Sequence, residues 1–106
     1  MNNIKKHILE NYSKEEIQDI LNHGCVSGCA SGLIYYSETI AFHDMHEDEI
    51  WNLLYEDAQE IDCTIMELIA NFNGQKDVGS QAQFKNLLTW YAIEKTCAQI
   101  VDETDL

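Results

Sequence analysis

The sequence predicts an all-α domain, a compact bundle of five or six helices, and three observations carry that reading. Proline is absent and glycine occurs only at Gly24, Gly28, Gly32, Gly74 and Gly79, so the residues that punctuate strands and hairpins are nearly missing. Apolar residues recur at helical rather than alternating spacing over most of the chain. Capping residues and helix stops fall between those periodic segments. With 106 residues and 45% apolar side chains, residues 1–106 can bury one core and are too few for two ordinary domains, so a single domain is expected.

"NNIKKHILENY" is the first helix. In "SKEE", Ser13 offers a capping hydroxyl and Glu16 stands three residues on, which opens a second helix through Ile17, Ile20 and Leu21. His23-Gly24 is its stop. The doubled tetrapeptide "GCVSGCAS" follows. In a helix, Gly24, Gly28 and Gly32 would drift slowly around one side, and each would cost roughly 1 kcal/mol relative to alanine. Such a Gly-rich segment at 24–32 calls for close approach of a neighbouring helix, within the chain or across a homodimer interface. The alternative is that these glycines open into a loop.

The segment "IYYSETIAFHDMHEDEIWNLLYEDAQEID" is helical by period, with a break expected near Ser37 or His46. On a wheel of residues 47–61, Ile50, Trp51, Leu53, Leu54, Tyr55, Ala58 and Ile61 share one side, and Glu49, Glu56 and Glu60 stripe the other. "CTIMELIANF" is a further short helix closed by Asn73-Gly74. "NGQKDVGSQAQ" is a loop, and "SQAQ" at 80–83 opens the last helix, expected to run to about Val101 with "DETDL" frayed.

Nineteen acidic and six basic side chains give a formal charge of -13. That field disfavours direct contact with nucleic acid or an anionic membrane and favours a basic protein partner. The N-terminal stretch has no secretion-signal pattern and no apolar run has the length of a membrane span, which points to the cytoplasm of a host cell and to thiols rather than disulfides.

The acidic candidates for an interaction surface are Glu47, Asp48, Glu49, Glu56, Glu60, Asp62 and Glu67, with Asp102, Glu103 and Asp105 as a second cluster. On a helix Glu49 and Glu56 are about 10 Å apart, a spacing coarser than successive phosphates on one DNA strand but comparable to a phosphate periodicity with gaps, and such a stripe could occupy the basic groove of a nucleic-acid enzyme. The bland reading is an ordinary solvated face.

His23, Cys25, Cys29, His43 and His46 are zinc-type ligands, and the three-residue spacing of the last two puts both imidazoles on one helix face. They have no C-x-x-C pair, and the same cysteines suit tight packing, so the expected cofactor is none, with zinc as the alternative. The region from Gly24 to Glu49 has no lysine or arginine, which argues against a phosphate cradle. Asp57 and Glu94 fall in or beside apolar arcs, where a carboxylate needs a partner such as a tyrosine hydroxyl, an indole N–H or a histidine. They read as structural hydrogen-bonding groups or as an acid or base working near His43 or His46. No nucleophile elbow or triad pattern accompanies them.

"NHGCVSGCASGLIYYSETIAFHDMHEDEIWNLL" and "ELIANFNGQKDVGSQAQFKNLLTWYAIE" resemble an uncharacterised family of small acidic proteins from phages and mobile elements, over about residues 20–96. The resemblance implies a phage setting and carries over no catalytic or binding residue. The expectation is therefore an accessory protein that binds and modulates a basic host or phage protein. A metal-binding or small catalytic helical domain is the alternative, and a structural or assembly component the second.

Overall fold

Helix α5 (Gln81–Thr104) is the axis of the fold, because each of the other helices packs against it. Those are α1 (Asn3–Asn11), α2 (Lys14–His23), α3 (Tyr36–Glu60) and α4 (Ile65–Phe72). The structure, a computed structural model, describes residues 3–23, 36–72, 74 and 81–104, and among them there are five helices and no strand. The all-α expectation holds. The Gly-rich segment at 24–32 lies outside the described residues.

Leu87, Leu88, Tyr91, Ala92, Ile93, Cys97 and Ile100 of α5 are all buried, so this helix is apolar over most of its circumference, as a central helix must be. Around it close Ile4 and Ile8 of α1, Ile17 and Ile20 of α2, Phe42, Ile50 and Leu54 of α3, and Leu68 and Ile69 of α4. Thr89 and Thr96 reach buried positions on α5 by turning their hydroxyls back onto the carbonyls of Lys85 and Ala92, at 2.9 and 2.8 Å. The radius of gyration, 13.2 Å, is that of a folded chain of this length.

Helix starts follow local chemistry. The Ser13 amide donates to Glu16 Oε1 at 2.8 Å and the Glu16 amide to Ser13 Oγ at 3.1 Å, the reciprocal capping box read from "SKEE". A second box opens α4, with the Thr64 amide on Glu67 Oε1 at 3.0 Å and the Glu67 amide on Thr64 Oγ1 at 3.1 Å.

The end of α3 uses an unexpected residue. Cys63 N–H donates to the Ala58 carbonyl at 3.0 Å and Asp62 N–H to that of Gln59 at 3.2 Å, a Schellman pair. Asp62 takes the left-handed position usually held by glycine, with φ 57°. Gly74 has the same hand, φ 76°, just past α4.

The break expected near Ser37 or His46 falls at His46 (φ -122°, ψ 23°), where two helical stretches meet at a kink, and Ser37 lies inside the first of them. Two expectations need correction. Tyr55 and Ile61 are 59% and 57% exposed, because the buried seam is narrower than the apolar arc and Ile61 sits past the last turn. Helix α5 continues beyond Val101 to Thr104, where Lys5 of α1 pairs with Glu103 at 2.7 Å and offsets an acid placed at the negative helix end. Among the described residues no helix is long and apolar enough to cross a membrane.

Candidate functional site

Two features stand out: exposed acids of α3 and α4 with a cleft beside Glu56, and a part-buried histidine pair that joins the middle of α1 to α3. Of the seven acids read as an interaction surface, Glu47, Asp48, Glu56, Glu60, Asp62 and Glu67 are exposed. Glu49 is half-buried and has an internal role. It accepts from the Asn3 amide at 3.1 Å and the Ile4 amide at 3.3 Å, capping α1 from a different helix. Glu67 has its carboxyl held below the usual carboxylate range, chiefly by the Thr64 backbone amide and then by the Thr64 side chain.

Glu49, Asn52, Leu53 and Glu56 form one wall of a cleft of about 290 Å³ whose other sides are Ile4 of α1 and Thr96 and Gln99 of α5. Its lining carries two carboxylates, two amides, a hydroxyl and two aliphatic side chains, with no basic group. Asp102 and Glu103 lie one turn beyond Gln99 and are both exposed. Glu49 and Glu56 of the first acidic cluster line this cleft, and the packing of α3 on α5 sets them opposite Thr96 and Gln99.

His43 and His46 are buried, at 5% and 7% exposure. His46 Nε2 lies 2.8 Å from His7 Nδ1, and Phe42 packs on both rings with centroids 4.7 Å away. His7 was absent from every sequence-based site. A signal existed, since His7 follows Ile4 by three residues and precedes Ile8, on the inward arc of its helix. His43 has its Nδ1 3.7 Å from Asp44 Oδ1. Among the described residues no three His, Cys, Asp or Glu side chains are grouped as metal ligands would be. The His23 side chain and Gly24, Cys25, Gly28, Cys29 and Gly32 lie outside the described residues.

Asp57 and Glu94 are half-buried. Asp57 accepts from the Tyr91 hydroxyl at 2.5 Å and lies 3.5 Å from Lys95 Nζ, so its partners are a phenol and an ammonium group rather than His43 or His46. Burial, and then the Asp57 carboxylate, push the Tyr91 phenol well above its ordinary range. Burial, with a smaller contribution from the charge of Glu94, pushes the Cys97 thiol up to about 12, which leaves it an inert packing group at neutral pH.

This arrangement can do one thing well chemically: present carboxylates in water beside a polar cleft. No curated protein and no solved structure matches the chain. A family model covers residues 1–106 from end to end, and the chain belongs to the family it describes, the domain of unknown function DUF7222.

Proposed function

We propose that the chain is a small acidic accessory protein that binds and modulates a basic protein, its carboxylate face taking the place of nucleic-acid charge. The observation that carries the reading is the acidic face itself. Six acids of α3, α4 and their junction are exposed, and Glu56 among them lines the cleft beside Glu49. With a formal charge of -13, the chain would steer a cationic surface toward it at low salt. A phage or mobile-element setting belongs to the same proposal and rests on the sequence resemblance alone.

The test is capture of binding proteins from a host lysate by immobilised protein, washed in steps of rising salt, beside a variant carrying Glu56→Lys and Glu60→Lys. The expected result is one basic, nucleic-acid-handling protein, eluted as the Debye length shrinks from about 10 Å and lost by the variant. Its release from, or competition with, DNA or RNA would follow. A partner that resists salt and binds the variant equally well would refute charge mimicry.

A further inference from the structure

The 2.8 Å contact between His7 Nδ1 and His46 Nε2 carries a protonation requirement. A hydrogen bond between two ring nitrogens needs one donor and one acceptor, and two imidazolium rings offer only donors. The contact therefore survives with both rings neutral or one charged, and is lost when both are charged. Its position gives that loss a consequence. The pair joins α1 to α3 at the residue where α3 kinks, and Phe42 packs on both rings. Helix α1 buries only Ile4 and Ile8 in the core, so polar ties make up much of its anchorage: Glu49 at its first turn, Lys5 to Glu103, and this pair.

We propose that His7 and His46 form a proton-sensitive clamp that holds α1 on the kink of α3 at neutral pH and releases it on mild acidification. The charges that act on His46 come from two helices. From α1, the charge of His7 acts against a charged His46, and from α3, Glu49 favours one. His43 lies one turn before His46, with Asp44 beside it. The acid that α5 brings to α1 is Glu103, which is taken by Lys5.

Burial is the largest influence on His46, and together with His7 it outweighs Glu49, so the ring is held below its ordinary value of 6.5. The sign follows from linkage. The folded state takes up this proton less readily than the unfolded chain, so the ring's contribution to stability is fully present above about pH 6.5 and is lost as pH falls from there through the folded value. Release of α1 would expose Ile4 and Ile8 and free the Glu49 carboxylate at the edge of the cleft.

The experiment is hydrogen exchange of the α1 amides at about pH 7.5 and about pH 5.5, corrected for intrinsic rates and referenced to α5. It compares the natural chain with His7→Asn, whose amide stands where Nδ1 does, His46→Gln, whose amide stands where Nε2 does, and His43→Gln. In the natural chain, protection of α1 is expected to fall roughly tenfold between the two conditions, the scale of one proton over one pH unit. The fall should be absent in His46→Gln, reduced in His7→Asn, where burial still holds the His46 ring down, and retained in His43→Gln. Unchanged protection in the natural chain would overturn the proposal, as would a fall that persists in both clamp variants or disappears only in His43→Gln. Imidazole titration of the natural chain by NMR is a check that needs no variant: His46 titrating at or above 6.5 would also overturn it.

Discussion

The Tyr91 hydroxyl donates to Asp57 Oδ2 at 2.5 Å and ties the middle of α5 to α3, 34 residues away in the chain. Lys95 approaches the same oxygen to 3.5 Å but is half exposed, so the phenol is the better-shielded partner. Removing the hydroxyl in Tyr91→Phe leaves a half-buried carboxylate short of a donor, and a loss of about 1–2 kcal/mol is expected in urea unfolding. The same bond sets a behaviour at high pH. A phenol held above its ordinary value of 10.0 contributes stability present below that value and lost as pH rises through the folded one. Tyr91→Phe should therefore abolish the last, most alkaline step of the tyrosine absorbance titration. A variant as stable as the natural chain, with that step intact, would show the bond to be incidental.

Helix α4 is only eight residues long, too short to be stable on propensity alone, so its cap matters more than that of a long helix. Thr64→Ala removes one half of the Thr64 and Glu67 box and is expected to cost about 1 kcal/mol. It should also let the Glu67 carboxyl rise part of the way toward its ordinary value of 4.5, because the Thr64 hydroxyl is the smaller of the two influences that hold it down and the Thr64 amide, the larger, remains. Their contribution is present above pH 4.5 and lost as pH falls below it. Glu67 titrating identically in the two proteins by NMR would sink the assignment.

Asp62 is the non-glycine residue that the described chain holds at positive φ. Its side chain is exposed, so the left-handed backbone is retained for the turn it makes between α3 and α4. Asp62→Gly relieves the steric cost and keeps both Schellman hydrogen bonds, while the freer unfolded chain takes back part of the gain. A net stabilisation of up to about 1 kcal/mol is expected, and Asp62→Val should be destabilising. Equal stability of the two variants in thermal unfolding would mean that the turn relaxes.

The parts of the fold that were legible in the sequence are those written in neighbouring residues. Ser13 and Glu16 lie within one turn of each other, and Ile50, Leu54 and Ala58 repeat at intervals of four, so both the cap and the seam can be read locally. The turn at Asp62 escaped because its usual marker, glycine, is replaced there by a residue that tolerates the same backbone less well. Tyr55 was assigned inward because a wheel gives an angle and not the width of the neighbour that covers it. In the structure its ring lies against Trp51, with centroids 6.2 Å apart, at the edge of the core. The site was less legible than the fold. The acids themselves could be counted, but the cleft between Glu56 and Gln99 and the meeting of His7 with His46 depend on helices far apart in sequence, and no local pattern encodes either.

The acidic residues divide into structural members, Glu49 and Glu67, and members free to act on a partner, and stability measurements can separate Glu49 from Glu56 and Glu60. Glu49 accepts from two amides at the first turn of α1, where the positive end of the helix favours a carboxylate. Glu49→Gln keeps the shape and loses the charge, and about 0.5–1 kcal/mol of stability is expected to go with it. Glu56 and Glu60 are exposed, and in a chain of formal charge -13 each sits among like charges. Glu56→Lys and Glu60→Lys should therefore unfold within about 0.5 kcal/mol of the natural chain, or later at low salt, because reversal relieves repulsion that salt otherwise screens. Denaturant unfolding at two ionic strengths makes the comparison. If the lysine variants are the unstable ones and Glu49→Gln is neutral, the exposed stripe is holding the fold together and cannot be the free binding face.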